Sequence, residues 1–126
     1  MDTKQVGQTL VDLCKEGKNI EAVDRLFAAD AVSEEAMEMP GGPPRVTKGI
    51  DAIRGKNQWW FDNNEVHGGT VTGPFPNGDE FAVFFTVDCT AKAGPFAGQR
   101  INMEEVGLYK VKDGKVVHER FFYSAG

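Results

Sequence analysis

The hydrophobic pattern changes period about halfway along the chain, and that switch limits the possible folds more than any other feature. In "TKQVGQTLVDLCKEG", Val6, Leu10, Leu13 and Cys14 fall at i, i+4, i+7 and i+8, one stripe of an amphipathic helix. Gly17 is placed to stop it. Asn19 reads as the N-cap of a second helix that carries Ile20, Val23, Leu26 and Phe27. "AVSEEAMEM" then reads as extended, "PGGPPRVTKG" as a loop, and Asp51 to Asn63 as a third helix with Ile53, Trp59, Trp60 and Phe61. From Glu65 onward the period falls to two. "EVHGGTVTG", "EFAVFFTVDCTAK", "QRINMEEVGLYKV" and "KVVHERFFYSAG" read as strands, with Asn77-Gly78 and Asp113-Gly114 as tight turns. Helices first and a meander of long antiparallel strands after them make an α+β domain. Strands of this length curl. A curved antiparallel sheet wrapped around the N-terminal helices tends to leave a cavity between the two layers. With 126 residues, a single domain spanning 1–126 is expected.

Charge and cysteine content narrow the function classes. The formal net charge of −5 argues against a nucleic-acid or anionic-membrane surface, which calls for a basic patch. The polar start "MDTKQVGQ" has no secretory character, and no apolar stretch approaches membrane-spanning length. Cys14 and Cys89 form no CxxC pair and read as free thiols of a reducing compartment, so a cytoplasmic protein is expected.

The closing strand leaves two orientations open. Val117, Glu119, Phe121 and Tyr123 share one face; Val116, His118, Arg120 and Phe122 share the other. Both faces are mostly apolar and both carry ionisable groups. Elsewhere, Glu65 and His67 stand at i and i+2, two ligands at most where a metal needs three, so no metal or cofactor is expected. His67 is retained as a proton shuttle. No Gly-x-Ser-x-Gly elbow is present, and "PGGPP" has too many prolines to cradle a phosphate.

Three phrases, "LFAADAVSEEA", "TKGIDAIRGK" and "VKDGKVVHERFF", resemble the nuclear transport factor 2-like superfamily. The chain is most similar to its polyketide cyclase-like (SnoaL-like) branch, with ketosteroid isomerase a more distant cousin. The resemblance implies a cystatin-like cone around the helices, a mostly apolar pocket, a small hydrophobic ligand or substrate, and a homodimer through the convex sheet face. It turns Glu119, Phe121 and Tyr123 inward, with Met103, Glu105, Gly107, Tyr109 and Val111, and with Phe81, Val83, Phe85 and Val87. Matched without gaps, Glu35 falls on the general-base position, and His118 and Arg120 fall on the convex face.

The implied catalytic set is therefore Glu35, Glu119 and Glu105, helped by Tyr109, Tyr123 or His67. Trp59, Trp60, Phe85, Met103, Phe121 and Tyr123 are the implied ligand-lining residues. A carboxyl walled by Trp, Phe and Met loses hydration, which raises its pKa toward neutrality and suits it to proton transfer. The first helix has no Tyr near Leu10-Val11, and the isomerases' second oxyanion donor falls near Gly107. Steroid isomerisation is therefore not expected. The expected function is isomerase- or cyclase-type acid–base chemistry on a hydrophobic carbonyl compound; the alternatives are a binding module without turnover, or an interaction domain with a filled interior. In the last case Arg45, Arg54, Arg100 or Lys110 would neutralise the glutamates.

Overall fold

The computed structural model describes residues 1–124, which form α1 (Thr3–Lys15), α2 (Asn19–Leu26), β1 (Phe27–Glu34), β2 (Val46–Lys48), α3 (Ile50–Asn63), β3 (Asn64–Asn77), β4 (Glu80–Ala91), β5 (Arg100–Lys112) and β6 (Lys115–Phe122). The end of the closing phrase, residues 125–126, lies outside the described residues. A capping box starts α1: the Gln5 N–H donates to the Asp2 side chain at 2.8 Å, and the Asp2 N–H donates to the Gln5 side chain at 2.9 Å. Gly17, at φ +74°, ends it as the sequence suggested. Gly7 sits at the crossing of α1 and β3. A Cβ there would come within 2.8 Å of Pro74 and 3.1 Å of Phe81, so only glycine allows the helix this close.

Four local expectations are corrected. Lys18, not Asn19, occupies the N-cap of α2, and it makes no side-chain capping bond. Phe27 does not end α2 but opens β1. The first hairpin turns on Gly78-Asp79, with Asn77 paired to Glu80 across it. The fourth lies in β6, where Lys110 faces His118 but Val111 faces Val116, which leaves Val117 as an extra residue. That bulge flips the side-chain parity. Val116, rather than Val117, is therefore fully buried, while Glu119 keeps its inward direction.

The strands join in the order β2-β1-β6-β5-β4-β3. The meander β3 to β6 is antiparallel throughout. The sheet as a whole is mixed and open, not an antiparallel barrel: β1 runs parallel to β6, and β2 and β3 remain edges. A parallel neighbour needs a long crossover, which the whole chain from β2 to β5 supplies here. The core lies between the helices and the concave face. Val6, Leu10, Val11, Leu26 and Ile53 pack there against Phe81, Val83, Tyr109, Val111 and Val116. Phe81 and Tyr109 stack at 4.9 Å, with their rings 8° from parallel.

Candidate active site

Inward alternation along β1 places Ala31 and Ser33 in the interior, both fully buried. The Glu35 N–H donates to the Arg45 carbonyl at 2.8 Å, which carries the extended course one residue past the strand. Glu35 therefore points inward as well, its side chain 10 % exposed. Glu105 and Tyr109 come from β5, and Glu119 and Phe121 from β6. On α3, Ile53, Lys56 and Trp60 repeat at helical spacing toward the same space.

These elements border a cavity of about 1470 Å³ that opens to solvent. Glu35, Glu105, Glu119, Tyr109 and Tyr123 line it, together with Trp59, Trp60, Phe85, Met103 and Phe121. His67 does not. Val66, paired with the buried Cys89, faces the cavity, so alternation puts the His67 ring on the outer face with Glu65, 2.7 Å from the Thr90 hydroxyl. The proposed shuttle is thus placed away from the other groups. Arg54 and Arg100, considered as partners for the interior acids, pair with Asp24 and Asp51 and with Asp88 on the surface. Lys110 lies 3.9 Å from the surface Asp79 carboxylate. The Arg45 guanidinium donates to the Glu35 carbonyl at 3.5 Å, and its backbone N–H to the Glu38 carboxylate at 3.2 Å.

The interior counter-charge is Lys56, which the sequence reading did not single out. Its side chain is 6 % exposed, and its Nζ lies 3.1 Å from a Glu35 carboxylate oxygen. It also donates to the Ser33 hydroxyl at 2.5 Å, and Ser33 in turn donates to Glu119 at 2.7 Å. The Phe121 ring covers the ammonium, its centroid 5.2 Å away. The Tyr123 hydroxyl donates to the second Glu35 oxygen at 3.1 Å. Lys56 thus bridges Glu35 directly and Glu119 through Ser33. Ser33 does not line the cavity, so this Ser–Lys contact is structural rather than a nucleophile and its base.

Glu105 is different. No hydrogen bond fixes its carboxyl among the described residues, and it faces the cavity. Burial, then the charges of Glu35 and Glu119, push its pKa up to about 7; Lys56 only partly opposes them. Burial also raises Glu119, against Lys56 and the Ser33 hydrogen bond. Burial raises Tyr109 far above the ordinary phenol range, with Glu119 adding to it, so its hydroxyl stays protonated. That hydroxyl has no partner among the described residues. It stands over Gly107, where a Cβ would lie 3.0 Å from the oxygen and 2.7 Å from the ring. Gly107, the position that lacks the isomerase donor, is the space that Tyr109 occupies. Among the described residues, no three His, Cys, Asp or Glu side chains converge tightly enough to hold a metal ion.

The sequence profile of the SnoaL-like domain matches residues 1–123. The chain belongs to that family. Comparison of this SnoaL-like domain with curated proteins found no match. Among solved structures, it is 47 % identical to a protein of Mesorhizobium loti, with a TM-score of 0.89, covering 98 % of this chain and all of the other. That protein is described as a provisionally assigned SnoaL-like polyketide cyclase, with carbohydrate phosphatase in brackets. A nuclear transport factor 2-like protein of unknown function from Burkholderia pseudomallei is 15 % identical at TM-score 0.76, over 98 % and 92 % of the two chains. An LEH-like epoxide hydrolase of Mycobacterium tuberculosis is 14 % identical at TM-score 0.66, over 97 % and 82 %. The latter two show the shared fold alone. Among the described residues no helix is long and apolar enough to cross a membrane.

Proposed function

We propose that this SnoaL-like domain is an acid–base enzyme acting on a hydrophobic carbonyl compound, with Glu105 as the proton-transfer group. The observation that carries the proposal is a carboxyl that burial pushes up toward neutral pH, that faces an aromatic cavity and that is held by no hydrogen bond among the described residues. Such a group both takes and returns a proton at physiological pH. In the reaction envisaged, Glu105 as carboxylate removes a proton from the carbon beside the substrate carbonyl. The electron pair of that C–H bond moves onto the carbonyl oxygen as an enolate. The Tyr109 hydroxyl donates to that oxygen, and the Lys56 ammonium stabilises its charge from behind. In a β,γ-unsaturated substrate the enolate extends over the alkene, and return of the proton to the γ-carbon completes an isomerisation. Alternatively the enolate carbon attacks a second carbonyl to close a ring, and the alkoxide so formed takes the proton back from Glu105. Glu35 and Glu119, held by Lys56, Tyr123 and Ser33, set the field rather than carry the proton. The bracketed phosphatase description fits less well, because carboxylates outnumber ammonium groups around the cavity and repel a phosphate.

The test is proton–deuterium exchange at the α-carbon of apolar cyclic ketones in heavy water, followed by NMR. The native protein should accelerate exchange for some of the ketones. Glu105→Gln should slow it by about 10²–10⁴-fold. Exchange by the variant at the native rate would remove Glu105 from the mechanism.

The convex face supports a homodimer as the functional unit. Phe84, Val106 and Phe122 stand directly opposite one another across β4, β5 and β6, and the last two are 36 % and 43 % exposed. Sedimentation should therefore give twice the chain mass for the native protein and the single-chain mass for Val106→Glu. A monomeric native protein contradicts this.

A further inference from the structure

The charge around the cavity is unbalanced. Five carboxyl groups line it, those of Glu35, Glu38, Glu104, Glu105 and Glu119, against the two ammonium groups of Lys15 and Lys56. Lys56 is already committed, with contacts to Ser33, Glu35 and the Phe121 ring. Glu105 and the Tyr109 hydroxyl, from one strand, are left aimed at the cavity without partners among the described residues, and Tyr109 is only 3 % exposed. Trp59, Trp60 and Phe85 complete the walls. Aromatic faces beside an uncompensated carboxyl form a setting that favours a cation.

We propose that the ligand of this pocket is an apolar molecule bearing a protonated amine, whose ammonium pairs with Glu105. The inference rests on the reading of Glu105 as the group that meets the substrate. The cluster holds more carboxylate than it can compensate, so it takes up positive charge, either as a proton on Glu105 or as a cationic ligand. The groups facing Glu105 are Glu35 beyond β1, Glu119 on β6, Tyr123 just past β6, Lys56 on α3 and Tyr109 on its own strand. Glu35 and Glu119 raise its proton affinity and Lys56 lowers it. An arriving ammonium acts in the same direction as Lys56. The Glu105 proton then leaves to solvent, and the carboxylate left behind pairs with the ammonium. An amine-bearing carbonyl substrate would thereby generate the base form that the proposed proton abstraction needs.

Three compact probes of equal shape test this: 1-adamantylamine, 1-adamantanol and 1-adamantanecarboxylate, titrated at pH 7 with quenching of the cavity tryptophans as readout. The amine should bind about tenfold or more tightly than the alcohol, and the carboxylate more weakly than either. Glu105→Gln should bring the amine to within about threefold of the alcohol, while alcohol binding, the control for a folded pocket, stays unchanged. Calorimetry in buffers of different ionisation enthalpy should register proton release on amine binding. Equal affinity for amine and alcohol, no measurable amine binding, an amine preference that survives Glu105→Gln, or proton uptake would each overturn the inference. A Glu105 that titrates near neutrality without amine preference sinks only this inference. A Glu105 that titrates as an ordinary carboxyl sinks the proton-transfer reading instead.

Discussion

Lys56→Met is expected to destabilise the fold by about 3–5 kcal/mol at pH 7, measured by urea denaturation. Met nearly conserves the volume and keeps the stem packed, so the loss reports the charge. Without the ammonium, Glu35 keeps only the Tyr123 hydrogen bond inside the cavity. Ser33 loses its donor, and Glu119 loses the positive charge that offsets its burial. Breaking one side of a buried ion pair costs more than the pair contributes, because the partner is left desolvated and unmatched. The sign with pH follows. Lys56 holds down the proton affinity of Glu105 and Glu119, so its removal raises both further. Protonation then relieves part of the penalty, and the loss should be smaller at pH 5 than at pH 8. A loss below about 1 kcal/mol, or one that does not vary with pH, would show that the ammonium is not what compensates the cluster.

The second large effect belongs to Glu105→Gln, which should weaken catalysis yet strengthen the fold at alkaline pH. The folded-state pKa of Glu105, about 7, lies above its ordinary value of 4.5. The native state therefore binds the proton more tightly than the unfolded chain does. Stability from this group is greatest below the unfolded value and is lost as pH rises toward 7. The shift corresponds to roughly 3 kcal/mol between pH 4 and pH 8, as an upper figure for a group that opens on a cavity. Glutamine has no such titration. The stability difference between variant and native protein should thus grow in the variant's favour from pH 4 to pH 8, by several degrees in Tm. A pH-independent difference would contradict the raised pKa.

Much of the architecture was readable because it rests on period and turns. Alternation grouped Phe81 with Val83 and Glu105 with Tyr109, the family resemblance turned those faces inward, and the burial of Phe81, Val83 and Tyr109 follows that parity. Asp113-Gly114 fixed the last hairpin, with both residues at positive φ. Bulges were not readable, because one extra residue leaves no mark in composition. At β6 the extra residue reversed the local parity and exchanged Val117 for Val116, while at β3 alternation held and simply put Glu65 and His67 together on the outer face. The parallel joining of β1 to β6 was also hidden, since it is a long-range pairing with no local signature. Lys56 was missed for a different reason. A lysine on a helix reads as solvated, yet it stands three residues after the buried Ile53 and four before the cavity-lining Trp60. A cation on an apolar stripe, in a chain with several inward glutamates, was the available clue.

The most direct measurement is a site-resolved NMR titration of the Glu105 side-chain carboxyl, assigned by comparison with Glu105→Gln. A midpoint near pH 7 is the expected result, shifting upward in Lys56→Met because a compensating charge has gone. A midpoint near 4.5 in the native protein, insensitive to Lys56, would place that carboxyl in an ordinary aqueous environment and contradict the proposed chemistry.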